Sequence, residues 1–165
     1  MFGCLLLYPA KDIQDNFLIQ SAGGKFTNGT PDHYGSGLII ENKTLFKQEL
    51  ESDTGQYNSV REVAWTTFGG CYIRRTFIDT VGNFSPEYEW TYNRDVDYCL
   101  TAREKGKKIY QLPVRLMHHE SRDNKRIKQI DNSKVAMESR NLARLQTKWA
   151  NSKFYKTLDT EINSG

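Results

Sequence analysis

The sequence has few of the residues that build cross-linked or membrane-spanning proteins. It contains three cysteines in 165 residues, Cys4, Cys71 and Cys99, which are odd in number and far apart. This usage predicts buried, reduced thiols and argues against a disulfide framework or a zinc site. No apolar run approaches the about 18 residues that a membrane-spanning helix needs, so no transmembrane segment is predicted.

The excess of one sign of charge is also small, since the formal net charge is only +3. A local basic cluster, Arg122, Lys125, Arg126 and Lys128, could meet phosphates or an acidic lipid surface. Such a tract is more often a solvated loop, and no nucleic-acid-binding motif surrounds it. A small nucleic-acid-binding protein is therefore the weakest of the functions considered for this sequence, and the predicted partners include no nucleic acid.

The first twelve residues, MFGCLLLYPAKD, have an apolar run but no basic segment before it, and they are too short for a signal peptide. The expected compartment is the cytoplasm, with peripheral attachment to the inner face of the membrane as the alternative.

Short apolar runs and turn residues predict strands in the first half of the chain. Residues 2–8, FGCLLLY, indicate a strand that is apolar on both faces and needs neighbours on each side. We expect those neighbours to come from elsewhere in the sheet or from sequence that this chain lacks. Asn28-Gly29 predicts a small hairpin, and residues 45–50 a short helix. Extended segments are expected on either side of Gly69-Gly70.

Helical signals dominate the second half. A short helix is predicted over 75–81, and a second over 93–105 is expected to be capped by Asn93. The core stripe of the second helix is Val96, Cys99 and Leu100. Pro113 is expected to separate two strands. A long helix from residue 132 or 133 has the apolar stripe Val135, Leu142, Leu145 and Trp149. The chain therefore reads as one α/β domain over 1–165, with a helical tail at about 134–158.

Asp95-Val96-Asp97 permits three interpretations: a metal-binding pair, a catalytic base with a neighbour, or the acidic first turn of a helix. A calcium loop fails, because Leu100 stands where the turn glycine belongs. The helix-turn interpretation is the commonest for an isolated motif. A base becomes more plausible because His118 follows a predicted strand, and ligands of open α/β sheets bind at the carboxyl ends of strands.

Three ordered motifs, GGCYIRRTFIDTVGNFSPEY, NRDVDYCLTAREKGKKIYQLP and MHHES, resemble family 2 glycosyltransferases of the rhamnosyltransferase-like branch. The resemblance covers residues 3 to about 150. It implies the C-terminal, acceptor-side part of a GT-A, Rossmann-like fold that transfers sugar from a nucleotide-diphosphate sugar to a glycan or polysaccharide acceptor.

The resemblance also implies roles for single residues. Asp95 matches the general base of inverting members, and Asp97 matches a structural position. His118 matches the histidine that helps to hold a divalent metal, Mg²⁺ or Mn²⁺. Gly69 and Gly70 match the loop near the donor sugar and the acceptor. Trp90 and Tyr92, on the loop before the base, could stack on sugar faces, and Arg94, directly before the base, is the remaining candidate for substrate binding.

The sequence departs from the family at several positions. Arg94 stands where Glu or Asn is usual, Thr101 where Arg is usual, and residues 83–85 replace the usual GFD. From the resemblance we also expect that the nucleotide-binding half, which normally precedes these motifs, is not part of this chain. We therefore expect an inverting, metal-dependent glycosyltransferase domain that lacks this half, or that associates with a separate copy of it. The alternative is a non-catalytic carbohydrate-binding or interaction module.

Overall fold

The computed structural model describes residues 1–8, 19–36, 57–89, 92–119 and 132–155. The predicted helix at 45–50, Trp90 and the basic cluster at 122–128 lie outside these residues. Within them the strands are β1 (Phe2–Leu7), β2 (Ile19–Ser21), β3 (Gly24–Thr27), β4 (Thr30–His33), β5 (Arg61–Glu62), β6 (Cys71–Tyr72) and β7 (Tyr110–Met117). The helices are α1 (Arg75–Val81), α2 (Arg94–Glu104) and α3 (Asn132–Trp149). The mixture of helices and strands agrees with the predicted α/β class.

Strand β1 lies inside a mixed five-stranded sheet of order β2-β1-β7-β5, and β6 joins this sheet as a third partner of β1. β7 runs parallel to β1, whereas β2 and β6 pair with it antiparallel. Leu5, Leu6 and Leu7 are 1%, 1% and 5% exposed, which explains why the strand is apolar on both faces. Both sets of neighbours that β1 requires are present in this chain.

The hairpin predicted at Asn28-Gly29 joins β3 to β4. Asn28 and Gly29 have φ angles of 51° and 72°, the left-handed conformation that a tight two-residue hairpin turn requires. The prediction is confirmed, and the hairpin sits beside the sheet through a bridge between Gly24 and Trp65.

The expected break at Pro113 is wrong, because β7 continues through it. The proline lies in a bulge of the strand. Cys4 pairs with Leu112 and Leu5 with Arg115, so Pro113 and Val114 have no pairing partner in β1. A bulge removes the need for the backbone N–H that proline lacks. β7 can therefore run on to Met117 and end beside the end of β1.

Helix α2 confirms its predicted position and core face, since Val96, Cys99 and Leu100 are 2%, 0% and 0% exposed. Asn93 is the N-cap residue, as predicted, but the expected hydrogen bond from its side chain is absent. Asn93 has φ 63° and ψ 2° and makes no capping hydrogen bond with its side chain. The left-handed conformation, which asparagine tolerates better than most residues, turns the chain into the helix instead.

Helix α3 packs through Met137, Leu145 and Trp149, which are 8%, 0% and 7% exposed. Val135 is 64% exposed, so its assignment to the apolar stripe is wrong. A polar residue, Asn141, is fully buried in the same face. No helix in the described parts of the chain is both long and apolar enough to cross a membrane.

Gly24→Ala is expected to destabilise the fold by about 3 kcal/mol, the upper part of the range for overpacking. A Cβ atom at residue 24 would lie 2.1 Å from Cε2 of Trp65, whose indole is buried and donates its N–H to the Lys25 carbonyl at 2.9 Å. Urea denaturation measures the change. Gly106→Ala is the control, because residue 106 has open space and only a left-handed φ of 70°. Equal losses in both variants would contradict the packing argument.

Candidate functional site

A cavity of about 710 Å³ opens at the carboxyl ends of the parallel strands β1 and β7. Tyr8, directly after β1, and His118, directly after β7, line it. The start of α2 and the loop after Trp65 form further parts of its wall. This is the edge at which open α/β sheets bind ligands.

Asp95, in the first turn of α2, lines this cavity. Its Oδ1 accepts a hydrogen bond from the Val96 N–H at 2.9 Å. Asp95 is half-buried. Desolvation raises the pKa of Asp95 from 3.8 to about 6, against the lowering effect of hydrogen bonds from Val96, Thr67 and Phe68. Such a carboxylate is mostly ionised at pH 7 and more basic than an ordinary one.

His118 lines the same cavity, and its Nδ1 lies 2.7 Å from Oε1 of Gln20 on β2. Since this amide oxygen can only accept, Nδ1 carries the proton in the neutral imidazole. Nε2 then has a free lone pair, which suits it to accept a hydrogen bond or to bind a metal. The His118 backbone N–H also bonds to the Leu7 carbonyl at 2.8 Å, which fixes the residue at the end of the sheet.

The loop of Thr67, Phe68 and Gly69 connects these two groups. Thr67 and Phe68 hydrogen-bond to the Asp95 carboxylate. A Cβ atom at Gly69 would lie 3.4 Å from Nε2 of His118, so the imidazole packs against the backbone of this glycine. Residues 67 and 69 are at most roughly 7 Å apart at their Cα atoms. The carboxylate and the imidazole therefore face one ligand-sized space.

The other predicted substrate-binding residues divide into three groups. Gly69, Tyr92 and Arg94 line the cavity with Asp95 and His118. Gly70 is not part of its wall: a Cβ there would lie 2.9 Å from both Leu6 and Leu116, so this glycine serves close packing. Trp90 lies outside the described residues.

Asp97 is 2% exposed and points into the core rather than the cavity. Its Oδ1 accepts hydrogen bonds from the Trp149 indole N–H at 2.8 Å and from the Tyr88 hydroxyl at 3.1 Å. Lys148 forms an ion pair with the same carboxylate at 2.8 Å. Asp97 thus fastens α3 to α2, as its predicted structural role implies.

Three residues that support the site were not predicted from the sequence. Gln20 orients His118, and Thr67 bonds to Asp95. Asn141 on α3 donates to the carbonyl oxygens of Glu89 and Tyr92 at 2.8 and 3.1 Å, which fixes the two ends of the segment before α2. The only sequence signal was a polar residue within the predicted apolar face of α3.

Nε2 of His118 is a suitable ligand atom for a divalent metal in this cavity. No group of three or more His, Cys, Asp or Glu side chains with metal-binding geometry occurs within the described ranges. His118 thus fits a metal whose other ligands come largely from a bound anion, as in magnesium- and manganese-diphosphate sites.

No family model matches the chain, and no curated protein matches its sequence. The chemistry of the cavity is therefore the basis for a functional proposal.

Proposed function

We propose that the cavity is the acceptor side of an inverting glycosyltransferase site and that the mixed sheet is part of a GT-A fold. The observation that carries this proposal is the Asp95 carboxylate, which faces the cavity with a pKa raised to about 6 by burial. A general base works best when its pKa lies near the working pH.

In the proposed reaction, Asp95 takes the proton of an acceptor hydroxyl. The hydroxyl oxygen forms a bond to the anomeric carbon of the donor sugar as the bond from that carbon to the diphosphate oxygen breaks. The electron pair leaves with the nucleoside diphosphate, and attack opposite the leaving group inverts the anomeric configuration. The acceptor is a sugar hydroxyl of a glycan or polysaccharide.

His118 is the residue proposed to hold Mg²⁺ or Mn²⁺ through Nε2. A divalent metal bound there would stabilise negative charge on the departing diphosphate. The contribution of this chain is to fix the imidazole, which the Gln20 amide and the backbone bond to Leu7 both do. The nucleoside itself is proposed to rest on residues other than those of the described cavity.

A donor sugar that binds this site is expected to stabilise the chain in the presence of Mn²⁺. At 100 times its dissociation constant, a ligand adds about 2.7 kcal/mol to the free energy of unfolding. Thermal unfolding with UDP-, GDP- and dTDP-sugars, with and without Mn²⁺, measures this effect. His118→Ala is expected to abolish the Mn²⁺-dependent part of the shift.

His119→Ala is the matched control, because His119 is exposed and does not line the cavity. It should leave the shift unchanged. No stabilisation by any donor, or an equal loss in both variants, would contradict the assignment of His118. Binding of free sugars without a donor effect would instead favour a carbohydrate-binding module.

A further inference from the structure

Arg94 brings a permanent positive charge into the cavity wall, directly before Asp95 in the chain. One of its terminal nitrogens donates to the carbonyl oxygen of Tyr88 at 2.5 Å. Its Nε is buried without a hydrogen-bond partner. The guanidinium is thus anchored at one end, and its capacity as a donor is not fully used.

No carboxylate of the described residues forms an ion pair with Arg94 within 4.0 Å. Other arginines do have such partners: Arg103 lies 2.8 Å from Glu62 and Arg140 lies 2.8 Å from Glu89. A partly buried arginine usually has an acidic partner, because removing its charge from water is costly. Among the described residues no carboxylate neutralises Arg94, so its charge faces a ligand in the cavity.

We propose that Arg94 binds an anionic group of the acceptor, so that the site selects acidic sugars such as uronates over neutral ones. This inference rests on the proposed function for the position of the acceptor. The planar guanidinium suits a carboxylate because it can donate two parallel hydrogen bonds to it.

The position of Arg94 relative to Asp95 favours the acceptor over the donor as the source of the anion. The acceptor hydroxyl must lie about 2.6–3.2 Å from the Asp95 carboxylate. Arg94 is the adjacent residue, with its Cα about 3.8 Å from that of Asp95. The proposed diphosphate ligand, His118, instead belongs to a different element of the site, since it follows β7 and contacts Gln20 of β2.

NMR titration of the full chain with glucuronate and with its uncharged methyl ester tests the proposal. Glucuronate is expected to bind at least about tenfold more tightly, the effect of one charge-assisted interaction. Arg94→Gln should remove this preference. Arg115→Gln is the matched control, because Arg115 is exposed on β7 and does not line the cavity.

Equal binding of the acid and the ester by the native chain would overturn the proposal, as would a preference that survives Arg94→Gln. Inorganic pyrophosphate serves as a probe for the diphosphate of the donor. If Arg94→Gln weakens the binding of pyrophosphate but not that of glucuronate, the assignment of Arg94 to the acceptor is wrong. If Arg94→Gln fails to fold, Arg94→Lys should fold and show a reduced preference. If the preference for glucuronate depends on Arg94 but no nucleotide sugar stabilises the chain, the anion site is supported and the proposed transferase function is contradicted.

Discussion

Asp95→Asn is expected to lower the rate of sugar transfer by about 10²- to 10⁴-fold, the usual contribution of a general base. The amide has nearly the same shape and still accepts hydrogen bonds, but it takes no proton from the acceptor hydroxyl. Acceptor and donor binding should therefore change little. Initial rates at saturating substrate, compared with the dissociation constants of both substrates, separate the two effects.

The same variant is expected to be more stable than the native chain at alkaline pH. The pKa of Asp95 in the folded state, about 6, lies above its ordinary value of 3.8. The stability contributed by the protonated carboxyl is thus complete below pH about 4 and is lost as the pH rises through about 6. At pH 8 the ionised group should cost up to about 3 kcal/mol, somewhat less where water enters the cavity.

Asp95→Asn should therefore raise the free energy of unfolding at pH 8 and lose this advantage near pH 4, as urea denaturation at both values would show. Asp79→Asn is the control, because Asp79 is exposed on α1 and does not line the cavity. An unchanged transfer rate in Asp95→Asn would remove Asp95 from the chemistry. A variant that is inactive but also less stable at pH 8 would point to a structural role instead.

Asp97→Ala, only two residues away, is expected to lower the free energy of unfolding by about 3–5 kcal/mol, because each of two buried donors left without an acceptor costs about 1–3 kcal/mol. It would leave the N–H of Trp149, the hydroxyl of Tyr88 and the ammonium of Lys148 without their acceptor. For a chain of this size the melting temperature should fall on the order of 10 °C. Calorimetry or circular dichroism measures the shift.

Asp79→Ala removes the same side chain from an exposed ion pair with Arg75 and should cost only about 0.5 kcal/mol. A similar small loss in Asp97→Ala would show that the contacts with α3 contribute little. The two acids of Asp95-Val96-Asp97 are thus distinguished by opposite effects: one replacement removes activity and adds stability, and the other removes stability.

Local sequence patterns were sufficient to predict the elements whose conformation depends on residues nearby in the chain. The Asn28-Gly29 turn, the apolar β1 strand and the Val96, Cys99 and Leu100 stripe all follow from spacing of a few residues. Pro113 was misjudged because the pairing with β1 accommodates it as a bulge, and no pattern within β7 indicates that partner. Val135 was misjudged because burial along α3 depends on which of its faces packs against the rest of the fold.

The candidate site was predictable in its reacting groups and unpredictable in their supports. The strand-end position of His118 and the helix-start position of Asp95 follow from chain order. Gln20 lies 98 residues before His118, and Thr67 lies well before Asp95, so their hydrogen bonds arise only from the tertiary fold. Polar supports of this kind have no periodic pattern that sequence reasoning can detect.

The pH dependence of kcat/KM for sugar transfer, measured with the donor that stabilises the chain, tests the role of Asp95 most directly. The expected profile rises about tenfold per pH unit below pH 6, levels above it and yields the inverted anomer, as a base with a pKa of about 6 requires. Asp95→Asn should flatten this rise. A native profile that is flat through pH 6, or a product with retained configuration, would contradict Asp95 as the base of an inverting transferase.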